Sequence, residues 1–309
     1  MPPGREPAPV KVVPMKTALV TGGSAGIGKH TVRALVARGY AVLIAARDER
    51  KGRALVDALR ASHPGAQVDF FSLDLSEPED VRALASEVRA RWDHLDALVL
   101  NAGLFTPRLY TNSKGYEFMF AATHLGHFLL THELLSLVKA SADGRIVVTS
   151  SVAHFVAGSF DFKTLRQPST STALLLAPFR AYGRSKLANL LFVRELSRRL
   201  TGSRVKVNAF HPGGVKTEIW RGTPGLFNAL ISPTLISEEQ GAQTQIYLAT
   251  EPGLTQSGQY WYRKSVHRGS AASRRPDLAQ KLWHYSEAAL KIRVFGEPEA
   301  THQEQRRQA

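Results

Sequence analysis

The stretch TGGSAGIGKHTVRALVARGYAVLIAARD, residues 21–48, decides the fold. An apolar run, KTALVT (16–21), leads into a turn with glycines at Gly22, Gly26 and Gly28. A helix-period segment follows over 26–38, and then a second apolar run, AVLIAA (41–46), which stops at Arg47. Strand, turn, helix and strand in about thirty residues make a βαβ unit. The spacing G-x-x-x-G-x-G differs from the G-x-G-x-x-G dinucleotide fingerprint, but it meets the same needs. The backbone must turn sharply, approach a pyrophosphate closely and let the next helix pack on the sheet. The helix N-terminus then directs free N–H groups and a positive dipole end at the phosphates. A glycine cluster alone also suits an ordinary tight βα turn. Its place after the first strand of a βαβ unit favours a dinucleotide site.

The alternation continues outward. VDFFSL (68–73), DALVLNAG (96–103), RIVVTSS (145–151), VKVNAFHPGG (205–214) and GQYWY (258–262) read as strands. Most are apolar on both faces, as in a parallel sheet covered by helices on each side. Helical patterns cover 48–62, 77–91, 112–139, 179–202 and 237–249. The expected fold is α/β: a Rossmann-type, doubly wound parallel sheet of about seven strands with helices on both faces. One dinucleotide-binding catalytic domain is expected over 16–295, between a flexible arm at 1–15 and a flexible tail at 296–309. Two connections, 156–180 and 217–236, are long for a compact α/β domain, which points to function.

Composition narrows the classes. The chain has 309 residues, 43% hydrophobic and 21% charged, an ordinary globular balance. It has no cysteine, which excludes disulfides and thiolate metal sites. His124, His127 and His132 have only Glu133 nearby as a further ligand type, so helix packing explains them and no metal is expected. No apolar run is long enough for a spanning helix. The N-terminal MPPGREPAPVKVVPMK lacks an apolar signal core, so a cytoplasmic location is expected. The net charge of +14 suits a phosphorylated ligand, an anionic membrane or nucleic acid. The basic residues form no single block and are not interleaved with aromatics as in a single-strand platform. Nucleic acid is therefore a subordinate alternative and is not expected as a partner.

Arg47 carries the cofactor reading. The carboxyl end of the second strand faces the adenosine ribose, where an acid binds the 2′-OH of NAD and a cation accommodates the 2′-phosphate of NADP. Arg47 stands at that edge, with Lys51 and Arg53 about a turn on and Lys29 after the glycine turn as a second cation. A guanidinium grips phosphate bidentately. Asp48 comes one residue late, at a helix N-cap. NADP(H) is the expected cofactor.

Tyr182 and Lys186 lie at i, i+4 in AYGRSKLANLLFVRELSRRL, on one helix face. A free phenol titrates near pH 10, and an adjacent ammonium is expected to lower that value. The same ammonium can reach ribose hydroxyls. Tyr182 can then move a proton to or from an oxygen as hydride arrives at or leaves the carbon. Ser150 and Ser151 end the strand 145–151 at the ligand edge of the sheet. Either hydroxyl can hold a substrate oxygen, or both can serve backbone groups.

With TGGSAGIG (21–28), DLS (74–76), NAG (101–103), HLGHFLLT (124–131), the serine pair, YGRSKLANLLF (182–192) and HPGGVKTE (211–218), the chain resembles the short-chain dehydrogenase/reductase superfamily, in its retinol-dehydrogenase-like branch. The match runs from residue 16 to about 290. It implies that Ser151 is the catalytic serine, completed by Tyr182 and Lys186. It implies cofactor contacts from Gly22, Ser24, Gly26, Ile27 and Gly28, from Asp74 and Leu75 at adenine, and from Asn101, Ala102 and Gly103 along adenosine. Pro212, Gly213, Val215 and Thr217 should close over the nicotinamide. A homo-oligomer is also a family expectation.

One position departs from the pattern. The family's Asn directly before HLGHF is Thr123 here. That Asn helps distort the helix so that a main-chain carbonyl holds a water behind the lysine. A threonine hydroxyl can also bond back to a helix carbonyl, so Thr123 is expected to serve as the fourth catalytic member.

The apolar TPGLFNALISPTLIS (223–237) suggests a lid for a hydrophobic aldehyde, ketone or alcohol, with 155–179 as the opposite wall. The same apolar stretches could instead touch a membrane surface, where positive charge helps. The expected function is NADP(H)-dependent interconversion of a carbonyl compound and its alcohol. The alternative is a non-catalytic NADP-binding protein of the same fold, with Thr123 as its only sequence support.

Overall fold

The computed structural model describes residues 15–158, 160–167, 176–215 and 235–293. Most of the proposed arm and all of the proposed tail fall outside them, as do much of the 217–236 connection and part of 156–180.

Strands β1 (Thr17–Thr21), β2 (Ala41–Ala46), β3 (Val68–Ser72), β4 (Ala97–Leu100), β5 (Arg145–Thr149), β6 (Lys206–His211), β7 (Tyr260–Tyr262) and β8 (Ser265–His267) form one sheet. Its order is β3-β2-β1-β4-β5-β6-β7-β8. Every pair is parallel except β7–β8. The eighth strand is the addition to the expected set. It is short and exposed, and so lacks the apolar run that marks a buried strand.

Parity along the strands explains the continuous apolar runs. On β1, Leu19 enters one core, while Ala18 and Val20 enter the other. On β5, Ile146 and Val148 separate from Val147 in the same way. Successive side chains point to opposite faces, so a strand covered on both sides must be apolar at every position. One face is covered by α3 (Pro78–Arg91), α5 (Gly126–Ala140), α6 (Leu176–Arg199) and α8 (Pro276–Leu290); the other is covered by α1 (Gly26–Val36), α2 (Glu49–Ser62) and α7 (Glu238–Thr250).

Two helices differ from expectation. The pattern over 112–139 predicts one helix, yet Asn112–Glu117 forms a small hairpin closed by a Thr111–Glu117 bridge. The Asn112 side-chain oxygen accepts from the N–H groups of Lys114 and Tyr116, which favours a turn over a helix. The helix begins only at α4 (Phe118–Phe120), capped by the buried Glu117 carboxylate, and passes through a π turn, Ala121–Leu125, into α5. Helix α8 was not anticipated. Its signal was present: Pro276 opens it, and Leu278, Ala279, Leu282, Trp283, Ser286 and Leu290 form a buried stripe at helical spacing.

Candidate active site

The strand order reverses direction between β1 and β4, and a cleft of about 650 Å³ opens at their carboxyl ends. Its floor is the glycine turn. Gly22 has φ +64°, in the left-handed region that glycine tolerates. A Cβ on Gly28 would sit 2.3 Å from the Gly22 carbonyl oxygen and 2.6 Å from Asn101 Nδ2. Asn101 Nδ2 donates to the carbonyls of Thr21 (2.9 Å) and Gly22 (3.3 Å), fixing the turn to the end of β4. Helix α1 has Ala25 as its N-cap, with no side-chain cap and no acid in its first turn. Its orphan N–H groups therefore remain available to an anion. This cradle fits a dinucleotide pyrophosphate.

Gly22, Ser24, Gly26, Ile27, Gly28, Arg47, Asp74, Leu75, Asn101, Ala102 and Gly103 line the cleft, with Ser151, Tyr182, Lys186, Pro212, Gly213 and Val215. Thr217 lies outside the described residues. Arg47 is exposed at the end of β2. Asp48 caps α2, accepting from the Lys51 N–H at 2.9 Å. Two of the supporting cations do not belong to the cleft. Lys29 faces Glu238 of α7 at 3.8 Å, and Arg53 pairs with Glu49 one turn back on α2.

The serine pair divides its work. Ser150 is buried and donates to the Lys186 carbonyl at 2.9 Å. Ser151 caps the turn after β5, accepting from the Ala153 N–H at 3.1 Å, and its side chain hydrogen-bonds Tyr182. His154 braces Ser151 from behind. Its Nδ1–H donates to the Ser151 carbonyl (2.6 Å), and its Nε2 accepts from the Ser270 N–H (3.0 Å).

Lys186 is 1% exposed; its Nζ donates to the Thr149 carbonyl at 3.2 Å and lies 5.6 Å from the centre of the Tyr182 ring. Gly103 makes room for it, since a Cβ there would stand 2.8 Å from Nζ. Burial lowers the Lys186 pKa to about 7. Burial pushes the Tyr182 phenol up to about 12, while the Ser151 hydrogen bond pulls the other way. The lowering expected from a neighbouring ammonium does not prevail: burial decides the direction. The phenol keeps its proton at neutral pH and is set to donate it.

The depressed lysine has a consequence for stability. Folding disfavours its ammonium, so the penalty is complete below about pH 7 and fades as pH rises toward the ordinary 10.5. Lys186→Met is expected to melt above the parent at pH 6, with the gap closing toward pH 10. Thermal unfolding of both proteins across that range checks the sign.

Thr123 does not line the cleft. It is fully buried in the π turn, and its Oγ1 has no hydrogen-bond partner among the described residues. The expected bond from its hydroxyl back to a helix carbonyl is not made. The Thr123 carbonyl instead accepts from His127 Nδ1 at 3.0 Å. A carbonyl cannot donate, so Nδ1 carries the proton and Nε2 accepts from the Thr21 hydroxyl at 2.9 Å. That hydroxyl receives the N–H groups of Asn101 and Ala102. Burial holds the His127 pKa down to about 3, so the ring stays neutral. His127, read from sequence as packing, thus joins the π turn to the cofactor cradle. Thr123→Val is expected to melt no lower than the parent, because it removes an unpartnered buried hydroxyl. It should also keep its turnover. A large loss in kcat would give that hydroxyl a catalytic duty.

Sequence reasoning also missed the aromatic wall. Phe105 meets Tyr182 edge-on at 5.9 Å and Phe179 at 4.9 Å; Tyr110 stacks on Phe118 at 4.6 Å. The signal was the cluster of aromatics following the NAG motif. Among the described residues, no group of three or more potential metal ligands occurs, and no helix is long and apolar enough to cross a membrane.

A family model described as short chain dehydrogenase matches residues 16–161. Retinol dehydrogenase 12 of Mus musculus is 39% identical over 277 residues, covering 89% of this chain and 86% of its own. Retinol dehydrogenase 13 of Homo sapiens is 38% identical over 285 residues, covering 88% and 83%. Among solved structures, an uncharacterized protein from Mycobacterium paratuberculosis aligns with TM-score 0.73 and 30% identity, covering 91% of this chain and 95% of its own. The Pseudomonas aeruginosa RhlG/NADP active-site complex aligns with TM-score 0.64 and 26% identity, covering 79% and 93%.

Proposed function

Because the chain belongs to the short-chain dehydrogenase/reductase superfamily, in its retinol-dehydrogenase-like branch, and is an oxidoreductase of the kind that uses a nicotinamide cofactor, we propose that it interconverts a hydrophobic carbonyl compound and its alcohol with NADP(H). The observation that carries this is the convergence of Ser151, Tyr182 and Lys186 in the cleft whose other end presents Arg47. The bound nicotinamide supplies or takes up hydride. The glycine turn and the open N-terminus of α1 would hold the pyrophosphate, and the Lys186 ammonium would donate to the ribose hydroxyls. Ser151 donates a hydrogen bond to the substrate oxygen. Tyr182 gives that oxygen its proton in reduction; the reverse, oxidation, needs the phenolate and is therefore favoured only toward alkaline pH.

Two features support an apolar substrate. Leu104 and Phe105 line the cleft beside Tyr182, and relatives of the chain carry the name retinol dehydrogenase. Arg47 supports the phosphorylated cofactor. A charge-assisted contact to the 2′-phosphate is worth roughly 1.5–3 kcal/mol, so kcat/KM with NADPH is expected to exceed that with NADH by roughly 10–100-fold. Arg47→Ala should lose most of that preference. Equal or better use of NADH by the parent would overturn the assignment. A panel of aliphatic, aromatic and terpenoid carbonyls, followed by NADPH absorbance, identifies the substrate class.

A further inference from the structure

We propose that Tyr110 contacts the cofactor and, with Arg47, selects for the adenosine 2′-phosphate. The inference rests on the NADP(H) reading above and deepens it. Tyr110 belongs to none of the glycine, serine, tyrosine or lysine motifs. It sits in the connection between β4 and α4, at the entrance to the hairpin that replaces the expected start of the helix.

That hairpin is pinned in place. The Phe118 N–H donates to the Tyr110 carbonyl at 3.0 Å. Asn112 Nδ2 donates to the Ser76 carbonyl (2.8 Å), Ser113 Oγ to Glu77 (2.7 Å) and Lys114 Nζ to Glu79 (3.0 Å). All three acceptors lie just past Asp74 and Leu75, which line the cleft: Ser76 and Glu77 precede α3, and Glu79 is in its first turn. The hairpin is thereby tied to the start of α3.

The Tyr110 ring stacks on Phe118 at 4.6 Å and 26°. Both rings line the cleft, together with Arg47 and Asp74. The Arg47 charge favours ionisation of the Tyr110 phenol, and the Glu117 and Asp74 charges oppose it. Tyr110 remains 44% exposed, so a ligand in the cleft can touch it. Partial burial raises its pKa, so the hydroxyl keeps its proton throughout the neutral range. A neutral O–H in the cleft that Arg47 also lines can donate to a phosphate oxygen. An acidic side chain there would repel the phosphate. The Phe118 ring beneath holds the phenol in place, which limits the entropy lost on binding.

Calorimetric titration with 2′,5′-ADP and with ADP tests this on the parent, Tyr110→Phe and Arg47→Ala. The parent should bind 2′,5′-ADP more tightly than ADP. Tyr110→Phe should weaken 2′,5′-ADP about tenfold, leave ADP unchanged and keep the parent's melting temperature. Its KM should rise for NADPH and not for NADH. If Arg47→Ala loses the preference while Tyr110→Phe binds 2′,5′-ADP as the parent does, the role of Tyr110 is overturned and the cofactor reading stands. If the parent shows no preference, both are overturned.

Discussion

Replacing Tyr182 with phenylalanine is expected to lower kcat by roughly 10²–10⁴-fold, the range lost when a positioned acid/base is removed, while coenzyme binding is retained. The substitution deletes one oxygen and leaves the ring. That ring is 5% exposed and packed with Met119 and Ala181, against Phe105, so its place in the fold does not depend on the hydroxyl. Among the described residues that line the cleft, the proton that Tyr182 holds at neutral pH has no ready substitute. Ser151 lacks the acidity, and Lys186 is turned toward the Thr149 carbonyl. Turnover on the carbonyl panel and coenzyme affinity by fluorescence separate the two effects. Retained turnover would remove Tyr182 from the chemistry. A parent that binds NADPH but turns over nothing on the panel would favour a non-catalytic binder.

The second large effect is expected at Gly28. Alanine there would drive its Cβ into the Gly22 carbonyl oxygen at 2.3 Å and Asn101 Nδ2 at 2.6 Å. Gly22 cannot yield without moving the turn, and Asn101 cannot yield without releasing the Thr21 and Gly22 carbonyls. Helix α1 must slide instead, taking its N–H groups off the pyrophosphate. Gly28→Ala should lower stability by about 1–3 kcal/mol, the usual cost of forcing an extra methyl into a packed site. Coenzyme affinity should fall by roughly 100-fold or more as the cradle opens. Chemical denaturation and coenzyme titration measure both. Parent-like affinity would mean that the turn is softer than its contacts indicate.

These residues show why much of the site was legible in the chain. Gly28, Arg47, Tyr182 and Lys186 reach the cleft through backbone shape, a strand end and a helix repeat, all of which are local. The two-sided apolar runs similarly announced a buried parallel sheet. What escaped notice depends on distant partners. His127 looked like packing because its partners, the Thr123 carbonyl and the Thr21 hydroxyl, are a main-chain atom and a residue 106 positions away. The pKa of Tyr182 could not be read from its spacing to Lys186, because burial decides it. The hairpin at 112–117 defeated a helical pattern through one asparagine side chain. Helix α8 was missed although its stripe and opening proline were in view.

The seam between β1 and β4 also governs how the chain reaches this state. Asn101 bonds to Thr21 across 80 positions, so the middle of the sheet closes only after a long excursion of chain has been drawn in. Such non-local parallel pairing makes for slow folding and a lengthy interval in which sticky strands lie uncovered. The glycine turn belongs to one side of the seam and Ser151 to the other. A ligand spanning them acts as a clasp, and the loaded protein should outlast the bare one under heat or protease.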